Sequence, residues 1–256
     1  MHKIFMREDR RHCFTLAEGG QSPLLCGDKG TQYSPCLVKK GFTLAEVLVT
    51  LGIIGVVAAM TLPTLIKDYQ KSVVEARLKW FYSAINQAVR MSVVDNGSTE
   101  YWELKNSSVG YGSYENNLEW FNKYLSPYLK HEELSDCTDY IYESNTTYVL
   151  PFVCIKLTNN SLFSLNIDVN GLDINYYPSG KFVPRTEETP KNIFRFQFFK
   201  DVNGHKESVE PYTYAWDNNP ETLKNGHVYS CYDGHRDFCT KLIQLNNWKI
   251  PDDYPW

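Results

Sequence analysis

From Phe42 to Leu62 the chain reads FTLAEVLVTLGIIGVVAAMTL, 21 residues with a single charge, Glu46. At helical rise this run covers about 30 Å, the thickness of a bilayer's hydrocarbon core. Nothing else in the sequence approaches it, and a mean hydropathy of −0.41 excludes a protein of many spans while leaving room for one. A buried core helix is the competing reading. The length, the want of a polar face and the polar composition elsewhere all speak against it. Lys39 and Lys40 precede the run, so charge bias keeps the N-terminal side in the cytoplasm and exports the C-terminal bulk.

The run does not end as a secretory signal does, at a small-residue cleavage site. Pro63-Thr64-Leu65-Ile66 follows, and the helical pattern continues. Val74, Leu78, Phe81, Ile85 and Ala88 form one apolar stripe, with Lys67, Lys71, Glu75, Arg77 and Lys79 on the other face. Asp95-Asn96-Gly97 supplies a stop. The spacing predicts one helix over 42–97, membrane-spanning over 42–62, amphipathic beyond, with Pro63 as the place for a kink.

Glu46 is the anomaly. A carboxylate four residues into an apolar span costs several kcal/mol, of order 3, unless it stays hydrated or finds a partner. Together Lys39-Lys40-Gly41-Phe42-Thr43-Leu44-Ala45-Glu46, the apolar run and Pro63 closely resemble the prepilin signal of type IV pilins and type II secretion pseudopilins. The resemblance covers about 55 of 256 residues. It implies cleavage between Gly41 and Phe42 by a prepilin peptidase/methyltransferase, with Lys39 and Lys40 ahead of the cut and Phe42 N-methylated. It implies that Glu46 neutralises the new N-terminus of a neighbouring subunit, since burying opposite charges together removes the penalty of burying either alone. Pro63 falls where helices of that family commonly kink. The implied product is a structural pseudopilin-like subunit without enzymatic activity. It would be held in the bacterial inner membrane by a single pass and exported at its C-terminal side. An inner-membrane assembly platform would then polymerise it with sister subunits into a type II secretion pseudopilus or a type IV pilus-like filament, periplasmic or on the cell surface. The alternative is an exported binding protein or enzyme that uses the helix only as an anchor.

Residues 1–41 form the leader that such cleavage removes. It is long for this family and contains an echo of the signal, Phe14-Thr15-Leu16-Ala17-Glu18, followed by Gly19-Gly20-Gln21-Ser22 instead of an apolar run. A partial duplication, an unused upstream start and a true extended leader all fit. The leader is expected to be loosely ordered. It holds 7 Lys+Arg against 4 Asp+Glu, so the remainder is more acidic than the whole chain's net −4. It also holds three of the seven cysteines, leaving Cys137, Cys154, Cys231 and Cys239.

The exported head, 98–256, reads as α+β, a small antiparallel sheet packed on the long helix as in pilins. A helix is expected over Asn117–Lys130 from Leu118, Phe121, Leu125 and Tyr128, and strands over 147–157, 162–169 and 192–200. Asp-Val-Asn-Gly occurs at 168–171 and again at 201–204, where strand-ending turns are the simpler reading. Some pseudopilins bind calcium, and Asp168, Asn170 and Asp173 carry suitable oxygens, although the spacing is not that of an EF-hand. No other cofactor is expected.

His227, Cys231, His235 and Cys239 recur every four residues, a zinc ligand set if they shared one helix. Asp233-Gly234 disfavours that helix, and export favours a Cys231–Cys239 bridge, which leaves Cys137 with Cys154; other pairings of the four remain open. The aromatic end at Tyr254-Pro255-Trp256 is expected to pack on the domain. Gly-x-Ser-x-Gly and His-Glu-x-x-His motifs and phosphate-cradling loops are absent, and an acidic chain without a basic patch does not suit nucleic acid.

Overall fold

The computed structural model describes residues 12–14, 25–27, 34–35, 42–105, 112–143, 146–168, 171–184, 188–199 and 207–256. The chain divides into two compact units, Met1–Pro63 and Thr64–Trp256. In the first, β1 (His12–Phe14), β2 (Leu25–Gly27) and β3 (Ser34–Pro35) pair as an antiparallel meander, with Cys13 opposite Cys26 and Leu25 opposite Pro35. The leader therefore has short regular pairing where loose order was expected. Local strand pairing needs only neighbouring segments, and composition does not reveal it.

The helix α1 runs from Leu44 to Asn96, 53 residues, and passes through Pro63 without a break in its assignment. Lacking an N–H, Pro63 leaves the Ala59 carbonyl without its usual partner. The helix stops where Gly97 turns to φ +76° and its N–H bonds the Val93 carbonyl at 3.0 Å. A residue with a Cβ pays for that left-handed turn, and glycine does not.

In the second unit, α2 (Tyr114–Tyr124) is followed by β4 (His131–Asp136), the pair β5 (Asp139–Glu143) and β6 (Thr146–Leu150), then β7 (Val153–Leu157), β8 (Leu162–Asp168), β9 (Gly171–Tyr177), β10 (Phe194–Phe199) and β11 (Ser208–Pro211). Two short helices, α3 (Pro220–Lys224) and α4 (Cys239–Leu245), complete it. Six strands form one antiparallel sheet in the order β11-β10-β9-β8-β7-β4, and β5 and β6 pair separately. The architecture is the expected α+β one, a long helix on a small antiparallel sheet.

Period-two alternation decides which sheet face meets α1. Phe194, Phe196 and Phe198 enter the same core as Leu172, Ile174 and Tyr176 of β9, while Arg195 and Gln197 alternate with them. From the helix, Leu78, Phe81 and Ile85 are fully buried in that core. The Phe81 ring stacks on Tyr176 at 4.2 Å and meets Phe163 and Phe196 at 5.4 and 5.3 Å.

Three expected elements shift. The helix begins earlier, at Tyr114, because the Ser113 hydroxyl accepts from the Asn116 N–H at 3.2 Å, and it ends at Tyr124 as Leu125–Tyr128 turn ahead of the sheet. The strand expected over 147–157 is two strands. Pro151 cannot donate to a ladder, and the chain turns there, with the Phe152 N–H on the Leu150 carbonyl. The third shortens to Phe194–Phe199. At the first Asp-Val-Asn-Gly, Asp168 pairs with Gly171 across the β8–β9 hairpin. Gly171 has φ +149°, and a Cβ there would meet the Phe198 carbonyl oxygen at 2.7 Å, so the glycine is a requirement of sheet packing. The second copy, 201–204, lies outside the described residues.

Two asparagines finish the sheet's hydrogen bonding. Asn86 of α1 donates to the Val209 carbonyl and accepts from the Val209 N–H, both at 2.9 Å, pairing with the edge strand β11 as a further strand would. Asn117 of α2 accepts from the Ile167 N–H at 2.9 Å, where β8 outruns β7. Beside Asn86, burial and the neighbouring Glu210 carboxylate push the Tyr82 hydroxyl up to about 12. Asn86→Leu is expected to leave both Val209 groups without their protein partner and to lower stability by about 2–4 kcal/mol, measured by urea unfolding of the processed chain.

Candidate functional site

The site begins with two residues ahead of α1. Phe42 is 88% exposed and Thr43 is the last residue before the helix. Thr43-Leu44-Ala45-Glu46 is a Thr-x-x-Glu capping box. The Glu46 carboxylate accepts from the Thr43 N–H and from its hydroxyl, each at 2.8 Å, and the Thr43 hydroxyl accepts from the Glu46 N–H at 3.2 Å. The carboxylate also sits at the positive end of the helix dipole. Reading Glu46 only as a charge in an apolar run misses this, though the Thr-x-x-Glu spacing was there to see. Gly41, Lys39 and Lys40 lie outside the described residues.

Beyond this cap, the helix offers the chain nothing to bury. Its most apolar window has a hydropathy of 2.2 and none of it is buried, so α1 is long and apolar enough to cross a membrane and is not a core helix there. A Cβ at Gly52 or Gly55 would meet nothing within 4 Å. The subunit's own packing therefore does not require either glycine. The register changes after Pro63: Val74 is the first buried residue of the helix.

In the head, two bridges join the remaining cysteines. Cys137 and Cys154 are bonded with Cα atoms 5.7 Å apart, and Cys231 and Cys239 at 4.7 Å. The first ties the β4 end to β7. The second closes the loop that leads into α4. Bonded sulfurs offer no thiolates, so the zinc reading of His227, Cys231, His235 and Cys239 is corrected. The four also fail to share a helix. The chain turns at Asp233-Gly234, His227 stacks on Phe238 at 5.3 Å, and α4 begins only at Cys239.

Of the calcium candidates, Asp168 ends β8 and Asp173 stands in mid-β9, in register with Asn166 and Gln197. Asn170 lies outside the described residues. Among the described residues no group of three His, Cys, Asp or Glu side chains is placed to hold a metal ion.

The sheet's second face holds a buried ionic triad that sequence reading missed. Arg195 of β10 bonds Glu188 at 2.6 Å and Asp237 at 2.6 Å, with the three side chains only 7–11% exposed. Burial works against the Arg195 charge, and Asp237 and Glu188 outweigh it, holding the guanidinium above its ordinary pKa. Asp237 belongs to the Cys231–Cys239 loop, so the triad fixes that loop to the sheet. The C-terminal segment is fixed to the helix: Glu75 accepts from Lys249 Nζ at 2.7 Å and from the Ile250 N–H at 2.8 Å. Tyr254 is buried as expected of the aromatic end, its hydroxyl on the Pro190 carbonyl.

Residues 37–62 match the family described as the prokaryotic N-terminal methylation motif. Residues 64–256 match a family of unknown function (DUF6613). No curated protein and no solved structure matches the chain. A prepilin-type signal thus opens the chain, marking it as a pilin-like, prepilin-processed protein and implying a processing peptidase and other pilin subunits as its partners. The second match extends over most of the length, and the chain belongs to the family of unknown function DUF6613.

Proposed function

We propose that this chain is a pseudopilin-like structural subunit, cleaved between Gly41 and Phe42, N-methylated at Phe42, and polymerised into a type II secretion pseudopilus or type IV pilus-like filament. Before assembly a single pass holds it in the bacterial inner membrane with residues 98–256 exported. One observation carries the reading. The methylation motif at 37–62 runs directly into a helix that buries nothing within its own chain until Val74.

The chemistry follows from the cap. Cleavage creates an α-amine at Phe42, next to Thr43 and one turn from Glu46. In the isolated subunit Thr43 satisfies the Glu46 carboxylate. On assembly the span leaves lipid for a core of sister spans, where the amine of one subunit and the carboxylate of another neutralise each other. Gly52 and Gly55, unneeded within the subunit, let neighbouring helices approach closely. Pro63 relieves the helix of one backbone bond where the span meets the stem.

Mass spectrometry of the N-terminal peptide from cells with an active prepilin peptidase tests the reading directly. An N-methylated Phe42 terminus is expected. A chain still carrying residues 1–41 in such cells overturns it.

A further inference from the structure

The part of α1 beyond the span has a second apolar face. Leu65, Tyr69, Val73, Ala76 and Trp80 follow one another at steps of four and three, and Met91 and Val94 extend the file past Ser83 and Gln87. No charged residue between Thr64 and Asn96 falls on it. It lies opposite the stripe of Val74, Leu78, Phe81 and Ile85 that the sheet covers. Leu65 is 66% exposed, Tyr69 70%, Trp80 41% and Val94 83%. Single exposed apolar residues are ordinary, but a file of them along one helix face needs a cover.

Lipid reaches only its beginning. Trp80 lies about 27 Å along the axis from Leu62, while headgroups add only about 5–8 Å on each side of the hydrocarbon. The chain's own sheet is committed to the opposite face. The cover must be long, uncharged and able to follow a straight helix. The same file of positions runs back through the span as Leu51, Gly55, Ala58 and Leu62. A neighbour seated on the small residues of the span is thereby led along the stem.

We infer that the Leu65–Trp80 face of α1 is a helix-packing surface for α1 of a second copy of this chain, so that contact between subunits continues through the exported stem. This rests on the filament reading above and extends it to residues outside the membrane. Trp80 is the anchor, a large ring on an otherwise slender face.

Photo-crosslinking in assembling cells tests it, with benzoylphenylalanine in place of Trp80 on the file, Ala58 in the span or Asn122 on the exposed side of α2. The expected result is a covalent dimer of the chain from positions 80 and 58, its crosslink mapping within 42–96, and none from 122. Dimers from 58 without dimers from 80 overturn the inference and leave the filament reading standing. Adducts from 80 to lipid or to an unrelated protein overturn it too. Loss of dimers at both positions overturns both. As an independent arm, Trp80→Glu is expected to cut filament yield at least tenfold with cleavage unchanged, and Lys79→Glu to leave yield intact. Equal yields from the two variants overturn the inference.

Discussion

Replacing Arg195 with methionine is expected to destabilise the processed chain by about 3–5 kcal/mol. The methionine keeps most of the buried stem, so lost packing is a minor part of that figure. The larger part arises because Glu188 and Asp237 would remain on the sheet's covered face with no cation between them. That loss is comparable to the whole stability of many domains. The measurement is urea unfolding in detergent, beside a triple variant in which Glu188→Gln and Asp237→Asn accompany Arg195→Met. The triple variant is expected to recover part of the loss, since a neutral cluster no longer holds uncompensated charge. A single variant within 1 kcal/mol of the parent would show that the triad contributes little.

Glu46→Ala is expected to abolish filament assembly while leaving insertion and removal of residues 1–41 intact. The capping box makes this a two-part question, because Ala removes a charge and also two hydrogen bonds from Thr43. Loss of a cap costs about 1 kcal/mol, too little to melt a helix that a bilayer supports. Glu46→Gln separates the two contributions. Its amide oxygen still accepts from Thr43 but no longer neutralises an amine. If charge pairing between subunits drives assembly, Gln fails as Ala does, seen as absence of sheared filaments on immunoblots with processed subunit present in the membrane. Filaments from Glu46→Gln would assign Glu46 a capping role alone, and filaments from both variants would favour a helix used only as an anchor.

Much of the fold is legible in the residues because periodicity reports burial directly. The stripe from Val74 to Ala88 is buried as its spacing predicts, the helix stops at the Asp95-Asn96-Gly97 signal, and the alternating phenylalanines of Phe194–Phe199 face the core. What escapes is whatever depends on distant partners. Asn86 and Asn117 look like polar interruptions of helical faces until the edge of the sheet arrives to meet them. Arg195 reads as an outward residue of an alternating strand, and only the return of residues 188 and 237 encloses it. Strand order could not be read, because hairpin signals define neighbours and not the placement of β4 beside β7. At the cap, Thr43 and Glu46 are three residues apart and fully readable, but the carboxylate's place in an apolar run drew attention from its local bond. Pro151 was readable too, and its splitting of the expected strand follows from a missing donor.

The clasp of Lys249 and Ile250 on Glu75 has a consequence for the order of events during biogenesis. A chain anchored by residues 42–62 emerges on the far side of the membrane stem first. Glu75 then waits, with Phe81 and the rest of the core stripe uncovered, while more than 170 further residues are threaded through. Closure of the clasp marks the end of that interval. Until then the stem exposes apolar surface on two sides, a state open to premature pairing of stems or to capture by a chaperone. The subunit is thus timed by its own chain order: its membrane segment is ready at once, and its head matures only when the distal segment has crossed.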